Sequence, residues 1–155
     1  MKTQRIYLDT SVIGGCFDNE FEIWSNALID DIRSGLFHGV SSEVVEAEIA
    51  DAPESIREKF MEFLKMEPEI LEINEETIGL VDIYLEHKIL AERFRNEMLH
   101  IALSTIANVD LLVSWNFRHI VRYDKIRQFN AVNLEQGYHT LEIYSPREVT
   151  SYEKD

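Results

Sequence analysis

Three short apolar runs, "RIYLD" at 5–9, "LFHGV" at 36–40 and "DLLVS" at 110–114, are each followed by residues with helical spacing or turn chemistry. Strands that alternate with helices are joined by crossovers, and crossovers make neighbouring strands parallel. The order predicts an α/β protein: a three-layer α/β/α sandwich around a central, mostly parallel sheet. Ile23, Ala27, Ile29 and Ile32 mark one helix, with Gly35 as its stop. Ser42 is the expected N-cap of "SSEVVEAEIAD", and Pro53 opens a helix carrying Ile56, Phe60, Phe63 and Leu64. "EILEI" reads as a strand or extended connector, and helices are expected from about Glu75 to Phe94 and from about Glu97 to Ala107. Asn108 suits a left-handed cap. "FRHIVRYDKIRQF" reads as an amphipathic helix, and "HTLEIYSPREV" as an edge strand halted by Pro146. No linker or repeat divides the 155 residues, so 1–155 reads as a single domain.

An apolar fraction of 45% and a charged fraction of 28% describe an ordinary globule. No signal peptide or bilayer-length apolar run is visible, and the lone Cys16 offers neither an internal disulfide nor a zinc cluster, so a cytoplasmic setting is expected. The net charge of −14 argues against coating nucleic acid by bulk attraction. It suits a site that collects cations, or a basic partner.

In open α/β sheets ligands gather at the C-terminal ends of strands. Asp9 closes the first strand there, and Ser114 and Asn116 follow "LLV". Thr10 and Ser11 supply neighbouring oxygens, and Gly14 and Gly15 are expected to let the backbone pass close to a ligand. With 29 acids in the chain, helix geometry must select among them. Glu48 follows Val44 by four and Val45 by three and adjoins Ile49, so it rides the apolar stripe, whereas Glu43 and Glu46 face away. A carboxylate on that stripe needs a cationic side chain, a route to the rim, or a bound cation. In "NEMLHIALSTIA", Glu97, His100 and Ser104 form one polar line on an otherwise apolar helix. Asn96 is a plausible cap there, Glu97 suits the first turn, and His100 reads as a hydrogen-bonded core histidine.

"YLDTSVIGG", "SSEVVEAEI", "EMLHIALSTIANVDLLVSWNFRHIV" and "GYHTLEIYSPREV" together resemble the PIN-domain family, particularly VapC-like toxins and their stand-alone relatives, in consistent order over nearly the whole chain. The resemblance implies the same sandwich fold and an endoribonuclease activity dependent on Mg²⁺ or Mn²⁺, with the family's acids falling on Asp9, Glu48 and Glu97. Two positions depart from the family pattern: Glu97 stands where Asp is more usual, and Asn116 where a fourth acid is common. The resemblance also implies a homodimer and a small antitoxin that covers the metal site. Ile78, Tyr84 and Phe94 are apolar candidates for such contacts or for the core.

Arg118, Arg122, Lys125 and Arg127 against the single Asp124 form the one basic stretch. If helical, it places Arg118 and Arg122 on one face that would guide RNA, with His119 near phosphate; a merely solvated helix is the alternative. The −14 charge and Asn116 also suit a catalytically silent scaffold that binds RNA or protein. A phosphoryl-transfer enzyme with an Asp nucleophile ending the first strand fits less well, because Ser11 occupies the position of its second Asp. P-loop and dinucleotide fingerprints are absent.

Overall fold

The structure, a computed structural model, describes residues 2–152. Strands β1 (Arg5–Leu8), β2 (His38–Ser42), β3 (Glu69–Leu71), β4 (Leu111–Val113) and β5 (Ile143–Tyr144) form one sheet in the order β3-β2-β1-β4-β5. Every neighbouring pair is parallel. The helices are α1 (Thr10–Gly15), α2 (Glu22–Arg33), α3 (Glu43–Ala50), α4 (Glu54–Leu64), α5 (Glu75–Glu86), α6 (Arg95–Ile106), α7 (Tyr123–Glu135) and α8 (Pro146–Val149). Helices α1, α2 and α4 touch one another, as do α2 and α8, while α5 packs on α6 and α7. Buried β1 (Ile6, Tyr7, Leu8) and β4 (Leu112, Val113) form the middle of the α/β/α sandwich.

Local signals act as their chemistry dictates. Ser42 caps α3 by accepting from Val45 N, and Asn74 caps α5 by accepting from Thr77 N. Asn108 (φ 53°) and Gly35 (φ 86°) adopt the left-handed conformation that ends a helix. Ile23, expected on the inner stripe of α2, is half exposed, and Leu28, Ile29 and Ile32 carry the burial instead.

Two longer helices expected from sequence are broken. The stretch from Glu75 to Phe94 stops at Glu86, because Lys88 turns left-handed (φ 54°) and sends Ile89 and Leu90 into the core. A short 3-10 turn, Glu92–Phe94, then feeds α6. Asn96 therefore lies inside α6, whose N-cap is Phe94, and does not cap it. Likewise α7 starts only at Tyr123. Residues 117–120 form a separate turn, held where Asn116 Oδ1 accepts from His119 N at 2.9 Å and Asn116 O accepts from Ile120 N and Val121 N. Arg118 thus sits in the turn and Arg122 in an extended N-cap (φ −144°), so the two do not share a helical face. Tyr84 is fully buried against Phe129, with its hydroxyl on Asn133, and is core rather than surface.

Gly15 is dictated by packing and not by a ligand. A Cβ there would meet Ser25 Oγ at 2.6 Å and Trp115 Nε1 at 2.7 Å, the two atoms that hydrogen-bond each other at 2.8 Å. Gly15→Ala is expected to destabilise the fold by about 1–3 kcal/mol, read from denaturant unfolding.

Candidate active site at the switch point of the sheet

From central β1 the chain steps to β2 and β3 on one side and later to β4 and β5 on the other. Such a reversal opens a crevice at the C-terminal ends of the two strands that part there, β1 and β4. Asp9 occupies it. Its backbone N–H continues the ladder to Val113 O at 3.2 Å. Its buried carboxylate caps α1: Oδ1 accepts from Ser11 Oγ at 2.6 Å and Val12 N at 3.3 Å, and Oδ2 from Ser114 Oγ at 2.5 Å. Ser11 Oγ also accepts from Trp115 N at 2.8 Å, and Ser114 Oγ from Asn116 N at 2.9 Å. The hydroxyls thereby lock the loop after β4 onto the loop after β1.

Helix α3 carries Glu48 toward the same edge. Its Oε1 accepts from Thr10 Oγ1 at 2.6 Å and pairs with His100 Nε2 at 2.9 Å, while Asn96 Nδ2 reaches Oε2 at 3.4 Å. Behind it, His100 Nδ1 lies 2.6 Å from the Tyr7 hydroxyl, which lies 2.7 Å from Ser42 Oγ. A carboxylate only accepts, so the shared proton belongs on His100 Nε2. For a neutral ring, Nδ1 then accepts from Tyr7, and Tyr7 accepts from Ser42, whose Oγ takes the Val45 N–H at 3.4 Å. One ordering of protons satisfies every member of this largely buried row. His100 is the hydrogen-bonded core histidine expected from sequence, and its partner is Glu48, for which the sequence reading expected a cationic side chain, a route to the rim or a bound cation. Sequence reasoning missed Tyr7 altogether. The available signal was that a buried tyrosine hydroxyl needs a partner, and the polar line of α6 offers one.

Glu97 lies in the first turn of α6, partly buried, with His119 Nδ1 3.6 Å from its Oε2. Burial pushes its carboxyl upward, and the negative charges of Glu48 and Asp9 push it further against the pull of His100. Burial also raises Asp9, against His100 and the donors Ser11, Ser114 and Val12. For Glu48, burial acts upward too, but the pull of the His100 imidazole it bonds, with Thr10 and Asn96, outweighs it and holds the carboxyl below its ordinary value. Glu97 thus feels both Glu48 and Asp9, and His100 acts on all three acids.

These directions fix a pH dependence. A carboxyl raised on folding stabilises below its unfolded pKa, and that stability is lost as pH rises through the raised value; a lowered one stabilises above its unfolded pKa and loses this as pH falls through the lowered value. In chelator, Asp9→Asn and Glu97→Gln are expected to flatten the loss of melting temperature on the rising-pH side. Glu48→Gln should flatten it on the acid side. Thermal melts across pH check both, and unchanged slopes would contradict the assignment.

The remaining candidates divide. Thr10, Ser11 and Ser114 are tied directly to the acids. Asn116 spends its side-chain carbonyl on His119 N and holds the turn. Arg122 pairs with Asp124 at 2.7 Å, whereas Arg118 forms no ion pair among the described residues.

Hard carboxylate oxygens suit Mg²⁺ or Mn²⁺, and a cation would offset the cost of burying charge on Asp9 and Glu97, whose carboxyls burial pushes upward. Among the described residues, however, no three His, Cys, Asp or Glu side chains are grouped so as to hold one ion between them. The donors thus fit an ion held by one or two carboxylates with waters completing its shell, a common arrangement for Mg²⁺.

An all-parallel five-stranded sandwich with acids at its switch point defines the class of fold, a PIN-like α/β/α sandwich. A chain from the crystal structure of VapBC2 from Rickettsia felis bound to a DNA fragment from their promoter shares this fold, with a TM-score of 0.57 over 92% of this chain and 98% of that one. Identity is 16%, so the likeness is one of fold. No protein-family model matches the chain, and no curated protein sequence matches it. No helix among the described residues is long and apolar enough to cross a membrane.

Proposed function

We propose that the chain is a metal-dependent endoribonuclease hydrolysing RNA phosphodiester bonds, either the toxin of a toxin–antitoxin pair or a stand-alone relative. The observation that carries this reading is geometric: Glu48 is bonded both to Thr10, the residue after Asp9, and to Asn96, the residue before Glu97, at the switch-point edge of the sheet. The sequence resemblance and the likeness to the VapBC2 chain support it. A bound Mg²⁺ or Mn²⁺ supplies an activated water and neutralises charge on the scissile phosphate. Asp9, fixed by Ser11 and Ser114, would be the ligand with least freedom to move, and Glu97 would add a second or water-mediated contact. Glu48, held ionised by His100 and Thr10, keeps Oε2 open apart from the long Asn96 contact, and so is placed to orient the attacking water. In-line attack breaks the P–O3′ bond, leaving a 5′-phosphate and, once the leaving oxygen takes a proton, a 3′-hydroxyl. An antitoxin covering the crevice and a homodimer belong to the same proposal.

One observation favours a second reading. The lack of a preassembled three-ligand group among the described residues suits a non-catalytic scaffold. Metal titration separates the two: Mn²⁺ is expected to raise the melting temperature of the wild-type chain and not of the Asp9→Asn, Glu48→Gln double variant. No stabilisation of the wild type, together with no metal-dependent cleavage of RNA, would reject the nuclease.

A further inference from the structure

The turn after β4 carries aromatic groups on both flanks. On one flank Phe21 stacks on Trp115, with centroids 4.1 Å apart at 16°. Phe117 stands edge-on to Trp115 at 6.1 Å and tilted to Phe21 at 6.4 Å. On the other flank His119 lies on Phe94 at 4.0 Å, with the Arg93 guanidinium 4.6 Å from the centre of the Phe94 ring. Arg118, between Phe117 and His119 in sequence, is exposed.

A single exposed phenylalanine is ordinary. Phe117 differs in three ways. It is 49% exposed while Trp115, which braces it, is 7% exposed, so the ring is held outward by its neighbours. It adjoins the segment whose Ser114 and Trp115 are bonded to Asp9 and Ser11. It also adjoins Arg118 in a turn whose His119 imidazole is depressed by burial and then by Arg118, Lys125, Arg122 and Arg93, in a chain carrying −14.

The geometry points to a base-stacking subsite on the exposed face of Phe117, taking an unpaired nucleobase of single-stranded RNA whose adjoining phosphate meets Arg118. This rests on RNA being the ligand of the acidic crevice and adds where one of its bases goes. An exposed aromatic ring followed in sequence by an arginine that forms no ion pair among the described residues matches what a single strand presents, a flat apolar base next to a phosphate. Bases within a duplex are covered on both faces, so the subsite selects unpaired residues. A protein occupant, such as a second copy or an antitoxin, would use the apolar ring but has no need of a flat face beside a phosphate-binding cation.

The test is binding of a short mixed-sequence RNA oligonucleotide, single-stranded or annealed to its complement, to the full chain in EDTA. Fluorescence anisotropy is read over a salt series. The wild type is expected to prefer the single strand. Phe117→Ala should lose roughly tenfold to a hundredfold in affinity for it with an unchanged salt slope, and Phe117→Tyr should retain it. Arg118→Ala should flatten the salt slope. Equal affinity of Phe117→Ala and wild type, equal affinity of the wild type for duplex, or no RNA binding at all would overturn the subsite. So would a Phe117→Ala effect confined to self-association in sedimentation. Because chelator removes cleavage, the two readings fail separately: a wild type without metal-dependent cleavage sinks the nuclease alone, and Phe117→Ala that binds like wild type sinks the subsite alone.

Discussion

Asp9→Asn is expected to lose metal-dependent RNA cleavage by about a hundredfold or more while melting at a higher temperature than the wild type near neutral pH. Both effects come from one carboxylate. Asp9 is buried, and its burial outweighs three hydrogen-bond donors and His100 in raising its pKa, so its negative charge is a cost to the metal-free fold. Asparagine removes that charge and keeps one oxygen for Ser11 Oγ and Val12 N, so the capped start of α1 survives. It also takes away the most rigidly held donor for a cation. Stability traded for a functional charge is a recognised pattern at catalytic sites. Cleavage assays in Mn²⁺ and thermal melts in chelator read the two halves independently. A variant that cleaves normally, or one that melts well below the wild type, would contradict the role given to Asp9.

His100→Ala is the substitution expected to cost the fold most, about 3 kcal/mol, read as a lowered denaturant midpoint. The imidazole is buried and edge-on to Tyr7 at 5.6 Å, so its removal leaves a cavity. It also strips the Tyr7 hydroxyl of its acceptor and Glu48 of a donor. Burial of Glu48 would then act with less opposition, and its carboxyl should move upward. Tyr7→Phe is the informative companion, because it keeps the packing and removes only the hydroxyl that joins His100 to Ser42. It should cost about 1–2 kcal/mol and leave Glu48 bonded to Nε2. If His100→Ala and Tyr7→Phe destabilise equally, the row from Ser42 to Glu48 is not organised as described.

What was legible in the sequence was local. Ser42, Asn108 and Gly35 act within a few residues of themselves, and all three do what their side chains or conformational freedom dictate. Glu48 was singled out by its spacing from Val44 and Val45, a property of one helix, and the parallel sheet followed from the alternation of elements. The misses are contacts between distant segments. Gly15 is needed because Trp115 arrives a hundred positions later, and no spacing near Gly15 announces it. The apolar residues Ile89 and Leu90 continue a helical pattern, yet a left-handed Lys88 lets the core take them from a loop. Asn116 delays the start of a helix expected from Phe117, because its side-chain carbonyl satisfies the His119 N–H in a separate turn. Tyr7 counted as one more apolar strand residue until α6 placed a histidine against its hydroxyl.

Crystals of the full chain equilibrated with Mn²⁺ give the most direct measurement, through anomalous diffraction at the manganese edge. The expected result is a peak within bonding distance of an Asp9 carboxylate oxygen, with Glu48 and Glu97 bound to the ion or to its waters. A well-ordered crystal showing manganese elsewhere, or none at the ends of β1 and β4, would contradict the account.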